Sequence, residues 1–253
     1  MTMSTQDPKT YQPAENCLHD RVILVTGAGS GIGRTAAISF ATHGATVILL
    51  GRTVEKLEAV YDEIENAGSP TPAIYPLCLE GATEQDYQTM ASNIEQEFGG
   101  LHGLLHNAGM LGQRTTIANY QAPIWQQVMQ VNLNAQFLLT KALLPIIKTA
   151  DDAAIVFTSS GVGRKGRPFW GAYAVSKFAT EGLAQVLAGE LEEVSNVRVN
   201  CLNPGATRTP MRAVAYPAED PGTLLTPEQI MPAYLYLLGP DSKGISGQSF
   251  DAQ

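Results

Sequence analysis

The stretch "GAYAVSKFATEG", residues 171–182, sets a phenol at Tyr173 and an amine at Lys177, four positions apart. On a helix, residues four apart leave from the same face, one above the other. Most such pairs are surface neighbours or packing contacts, so the spacing alone decides nothing. The chemistry it permits is specific, however. A phenol with an ordinary pKa of about 10 is a poor base at neutral pH, and a nearby ammonium favours its ionised form. The pair would be a working acid and its tuner if the fold supplied something to protonate.

A second segment suggests what that is. "TGAGSGIG", residues 26–33, lies between a short apolar run, "RVILVTG", and the helix-like "RTAAISFATHG". Gly27, Gly31 and Gly33 there let the backbone turn sharply and approach a pyrophosphate held at the positive end of the helix. Glycine also serves tight turns for conformational reasons alone, but its placement between the first strand and first helix favours a dinucleotide. The second strand ends "LLGRT", with Arg52 where an NAD site would carry Asp or Glu for the ribose hydroxyls. A guanidinium suits a 2′-phosphate, so NADP(H) is expected over NAD(H), against the ordinary reading of a solvent-facing arginine.

The elements that must position these groups alternate along the chain. Strand-like runs at "ATVILL", "AIYPLCL", "LHGLLH", "AAIVFT", "VRVNCL" and "GISGQSFDA" are separated by helical patterns. Pro76 places the third run at a sheet edge, because proline cannot donate to a ladder. Thr83 and Asp86 have the spacing of a capping box. One long helix is expected over residues 122–147, another over 171–193, and a later one capped by Thr226 with Pro227 and Glu228 behind it. Such alternation with short loops predicts a doubly wound parallel sheet in one domain, residues 20–253, preceded by an arm, residues 1–19, that is flexible or packs on a partner subunit. The stretch 211–225 reads as an irregular connection of the kind that serves as a lid.

The formal net charge of −8 argues against nucleic acid as a partner, since phosphate binding needs a basic face. The longest apolar runs are strand-sized, which argues against a membrane span. Cys17, Cys78 and Cys201 have no metal-ligand spacing, so no metal is expected, and scattered thiols fit reduced residues in a cytoplasmic protein.

Six segments taken in order resemble the short-chain dehydrogenase/reductase family: "TGAGSGIG", "HNAG" (106–109), "VNLNAQF" (131–137), "FTSSGVG" (157–163), the Tyr173–Lys177 pair and "NPGATRT" (203–209). Within it, "FWGAYAVSKFATEG", "NPGATRTPMRA" and "FDAQ" are similar to the bacterial YciK-type oxidoreductases. The resemblance implies a seven-stranded Rossmann sheet of order 3-2-1-4-5-6-7. It also implies a catalytic set of Asn132, Ser160, Tyr173 and Lys177, with Asn132 in a water relay to Lys177 and Ser159 turned elsewhere. Cofactor contacts are implied for Gly27, Ser30, Gly31, Ile32, Gly33, Arg52, Asn107, Ala108, Gly109, Tyr173, Lys177, Pro204, Gly205, Thr207 and Thr209. Two positions depart from the family pattern: Cys78 stands where an Asp usually contacts the adenine, and His106 replaces the first Asn of an NNAG motif, in a structural role.

The activity so implied is carbonyl–alcohol interconversion by hydride transfer, with Tyr173 as general acid/base, in a homodimer or homotetramer built on the long helices. An NAD(H) enzyme of the same family and a non-catalytic dinucleotide sensor are the competing readings. Arg164, Lys165 and Arg167, beside Phe169 and Trp170, hint at an anionic small-molecule substrate with an apolar body; a solvated loop or subunit contact is the more ordinary explanation.

Overall fold

The structure, a computed structural model, describes residues 7–253. Seven strands form one parallel sheet: β1 (Val22–Thr26), β2 (Thr46–Gly51), β3 (Ala73–Pro76), β4 (Gly103–His106), β5 (Ala153–Thr158), β6 (Val197–Asn203) and β7 (Ser249–Asp251). Their order is β3-β2-β1-β4-β5-β6-β7, as the resemblance implies. All six residues of β5 are buried, the mark of a central parallel strand covered on both faces. Pro76 does end the edge strand.

Helices clad both faces. On one, α1 (Gly31–Thr42), α2 (Val54–Asn66) and α8 (Met231–Leu238) bury Phe40, Leu57, Ile64 and Leu237 against the sheet. On the other, α3 (Glu84–Phe98), α5 (Ala135–Ile147) and α6 (Gly171–Leu191) bury Met90, Leu143 and Leu187. Thr83 and Asp86 form the expected capping box at the start of α3.

Three expectations are corrected. The stretch 122–147 is not one helix: α4 (Ala122–Met129) and α5 are joined by a π-turn at Gln130–Asn134, whose extra residue re-aims Asn132 inward. Thr226 does not cap a helix; its N–H donates to Gln229 Oε1 (2.8 Å), a tight turn follows at Glu228–Ile230, and α8 begins at Met231. The stretch 211–225 is not wholly irregular, because Pro210–Ala215 forms a short helix, α7, capped by Thr209 Oγ1 accepting from Arg212 N (3.1 Å).

Residues 1–6 of the expected arm lie outside the described residues; residues 7–19 pack on this chain's own domain. Tyr11 is buried with its ring centroid 5.2 Å from that of Tyr236, and its Oη donates to Asp241 at 2.8 Å. Leu18 is fully buried. The segment therefore clamps α8 and the turn after it. Tyr11→Ala should lower unfolding free energy by about 3 kcal/mol, as large-to-small core substitutions do. Urea denaturation would measure this, and an unmoved midpoint would mean that the arm carries no load.

Candidate active site

The strand order reverses between the parallel neighbours β1 and β4, and a cleft of about 430 Å³ opens at their carboxyl ends. One polar knot fixes its floor. Thr26 Oγ1 accepts from the N–H groups of Asn107 (2.9 Å) and Ala108 (3.0 Å), and Asn107 Nδ2 donates to Thr26 O (3.2 Å). Gly27 and Gly31 adopt φ of +70° and +54°, open to glycine at no steric cost. Gly33 serves close packing instead: a Cβ there would lie 2.3 Å from Gly27 O and 2.5 Å from Asn107 Nδ2.

Gly27, Ser30, Gly31 and Ile32 line the cleft along its glycine turn, and Asn107, Ala108 and Gly109 line the β4 side. Ser30 precedes α1 without a side-chain capping bond, so the first-turn N–H groups have no side-chain acceptor. Pro204, Gly205, Thr207 and Thr209 close the far side. At the outer end stand Arg52 and Lys56, both exposed, with Cys78 and Glu80 opposite. Cys78 is thus a free, exposed thiol on the cleft wall, not a core residue.

At the inner end the fold brings Ser160, Tyr173 and Lys177 to one wall. Lys177 is buried, its Nζ donating to Thr158 O (2.6 Å) and lying 5.7 Å from the Tyr173 ring centroid. Burial pushes its pKa down to about 8, partly offset by the thiol of Cys201 and the carboxylate of Glu181. Tyr173 moves the other way: burial raises the phenol, and its hydrogen bond with Ser160 partly counters that. Among the protein groups burial is thus the larger influence on the phenol and Ser160 the smaller.

Asn132 is fully buried and does not line the cleft. Its Oδ1 accepts from Met110 N (2.7 Å), and its Nδ2 donates to Met110 O (2.9 Å) and Ser176 Oγ (3.0 Å), which splints the loop after Gly109 to α6. Gly33 likewise lies behind the wall. Ser159 turns away, donating to Glu181 Oε1 at 2.5 Å. His106 is buried, stacked on Phe157 at 4.6 Å and within 2.8 Å of Thr140 Oγ1; burial takes its pKa down to about 3, which makes it a neutral structural ring. Of the basic loop, Arg164 pairs with Asp251 (2.8 Å) and bonds Ser249 and Phe250, outside the cleft lining, while Lys165 and Arg167 are exposed.

A sequence model of the short chain dehydrogenase family matches residues 21–220. The chain belongs to that family. The Escherichia coli K12 protein named uncharacterized oxidoreductase YciK is 53% identical over 243 residues, covering 96% of each chain. A short chain dehydrogenase structure from Pseudomonas syringae superposes with a TM-score of 0.95 at 58% identity, covering 96% of this chain and 98% of that one. Another, from Escherichia coli CFT073 and complexed with NADPH, superposes with a TM-score of 0.93 at 53% identity, over 95% of this chain and 100% of that one.

This short chain dehydrogenase is an oxidoreductase, and its residues fit a dinucleotide. The glycine turn, the uncapped start of α1 and the floor knot form a cradle, and a Cβ added at Gly33 behind it would push against Gly27 O and Asn107 Nδ2. Sequence reading missed Lys56, whose place in α2 looks like an ordinary solvated charge, and Met110, Leu111 and Met211, which join Trp170 in an apolar wall. Among the described residues no helix is long and apolar enough to cross a membrane, and no cluster of metal-ligating side chains occurs.

Gly33→Ala should cost about 1–3 kcal/mol of stability by overpacking and weaken dinucleotide binding by shifting Gly27. Calorimetry of NADPH binding checks the second part, and unchanged affinity would refute the cradle geometry.

Proposed function

We propose that the chain is an NADP(H)-dependent oxidoreductase that interconverts a carbonyl and an alcohol, with Tyr173 as general acid/base, Lys177 and Ser160 as its partners, and Asn132 behind them. The observation that carries this reading is the meeting of Tyr173, Lys177 and Ser160 at one end of a cleft whose other end is a glycine cradle. The NADPH bound to the Escherichia coli CFT073 structure supports the cofactor. So do Arg52 and Lys56, two cations at the outer end that suit a 2′-phosphate.

When bound, the nicotinamide would supply the hydride. In reduction the Tyr173 hydroxyl gives its proton to the substrate oxygen, while Ser160 hydrogen-bonds the same oxygen and stabilises its developing charge. A phenol raised by burial is protonated at neutral pH, as this direction requires. The departing proton leaves a negative charge on the Tyr173 oxygen, which the Lys177 ammonium offsets, and the remaining donors of that ammonium would serve the cofactor ribose. Asn132, by holding Met110 and Ser176, keeps the wall around the pair fixed and belongs to a proton path to Lys177. Met110, Leu111, Trp170 and Met211 suit a substrate with an apolar body.

The proposal extends to a cytoplasmic homodimer or homotetramer. Three free cysteines suit a reducing compartment. Phe137 on α5 and Val175, Phe178 and Val186 on α6 are 44–60% exposed, which suits a second copy.

Tyr173→Phe should reduce NADPH-dependent turnover of a carbonyl substrate by at least about 100-fold while leaving NADPH affinity intact. Equal activity would sink the mechanism; a screen of aldehydes, ketones, quinones and 3-oxoacyl thioesters supplies the substrate. Arg52→Ala should weaken NADPH by about tenfold or more, the worth of a charge-assisted hydrogen bond, and leave NADH unchanged in titration calorimetry. Turnover in the reducing direction should decline as pH rises through about 8, where Lys177 loses its proton. A flat profile from pH 7 to 9 would contradict the role of its charge.

A further inference from the structure

Glu181 lies one helical turn beyond Lys177 on α6, and its residue is only 7% exposed. Three donors converge on one oxygen: Oε1 accepts from Ser159 Oγ (2.5 Å) and Ser249 Oγ (2.9 Å), and Arg164 Nε stands 3.5 Å away. Arg164 carries the connection onward, bonding Phe250 O (2.7 Å) and Asp251 Oδ1 (2.8 Å) on the last strand. Asp251 Oδ1 also accepts from Asn203 Nδ2 (2.8 Å), and Asn203 Oδ1 accepts from Gly205 N (3.1 Å). One polar chain therefore runs from the residue before Ser160, through Glu181, to a glycine on the cleft's far wall.

A carboxylate buried at this depth is costly unless its partners satisfy it, and apolar packing would stabilise such a helix–sheet contact as well. Its position beside the reacting groups gives it a use. We propose that Glu181 is a positioning residue for the reaction: it aims Ser160 by holding Ser159, ties the 203–205 loop to α6 through Arg164, and sets a negative charge one turn from Lys177. The inference rests on the reading of Tyr173, Lys177 and Ser160 as the reacting groups.

The surroundings of Lys177 leave that charge few rivals. Tyr173 faces it from α6 and is kept protonated by burial. From β4, His106 is neutral, its pKa held at about 3. From β6, Cys201 has its thiol pushed far up by burial, with Glu181 adding to the effect. β5 offers a carbonyl, that of Thr158. Arg164, from the turn after β5, pairs with Glu181 and weakens its pull. Among the described residues Glu181 is the one carboxylate that bears on the Lys177 ammonium.

The first part of the test reads Lys177 directly and needs neither substrate nor cofactor. In protein labelled with carbon-13 lysine, the Cε resonance of Lys177, assigned with Lys177→Met, reports its titration. Glu181→Gln should move the midpoint down by about one pH unit, the low end of the effect of an adjacent opposite charge. Arg164→Gln, a substitution at the surface that keeps the carboxylate, should move it up. If both variants leave the midpoint in place, or both move it the same way, the proposal falls; should Glu181→Gln not fold, the upward move in Arg164→Gln alone decides. Ser159→Ala should cut kcat about tenfold with KM and the Lys177 midpoint unchanged, and an unchanged kcat would refute the aiming of Ser160. Full turnover in Tyr173→Phe beside the expected Lys177 movements would refute the reading of the site, and with it the role of Glu181 in the reaction, while the electrostatic link itself would stand.

Discussion

A lysine ammonium sunk beneath the cleft wall is the constraint around which the rest of this structure is arranged. Lys177 is 3% exposed and has one protein hydrogen bond, to Thr158 O. Desolvating a charge is among the largest costs a fold can carry, and the lowered pKa of Lys177 expresses it. The neighbours are arranged to limit that cost. His106 is neutral, Cys201 keeps its proton, and Glu181 supplies the compensating charge. Gly163 lets the backbone come close: a Cβ there would lie 2.9 Å from the Lys177 carbonyl carbon. Such spending is hard to account for as stability alone, because the same volume filled with leucine would hold the sheet better.

The same logic links the two ends of the cleft. The order of strands places the glycine turn after β1 next to the loop after β4, and the Thr26–Asn107 knot locks the two together. That loop continues to Met110, which Asn132 grips by both its N–H and its C=O. Asn132 reaches it only because the π-turn at Gln130–Asn134 rotates the side chain inward. Ser176 then accepts from Asn132 and donates to Tyr173 O (2.8 Å), so cradle and phenol share one hydrogen-bonded frame.

Much of this was legible in the residues. Strand order, the edge position of Pro76, the capping box at Thr83 and the shared face of Tyr173 and Lys177 follow from periodicity, proline chemistry and the family resemblance. What was illegible has physical causes. Residues 124–144 keep a helical pattern between Pro123 and Pro145, and nothing local marks one extra residue in a turn; the π-turn is set by what Asn132 meets across space. Glu181 and Lys56 carry no motif, since a charged residue in a helix reads as solvated until its neighbours are known. Arg164 misled for the same reason: a basic loop looks the same whether its guanidinium faces water or closes the last strand. Tyr11 and Leu18 looked like an arm because a short polar segment does not reveal the hydrophobic seat it will find.

The directions of the two shifts at the centre also say something about how the pair works. Burial raises the phenol and lowers the amine, so both move toward their neutral forms. By themselves, then, the protein groups resist forming the phenolate–ammonium pair that an acid–base cycle passes through. They hold Tyr173 as a proton donor, the form needed for reduction. On the proposed mechanism, oxidation first requires the phenol to lose its proton, and the protein assists by keeping Lys177 charged while that happens. Glu181 stabilises the ammonium against its desolvation cost, and the positive charge of an oxidised nicotinamide would stabilise the phenolate. Neither contribution is visible in the Tyr173–Lys177 spacing. The acid–base behaviour of the pair belongs to the shell around it, and that shell is where this chain can favour one direction over the other.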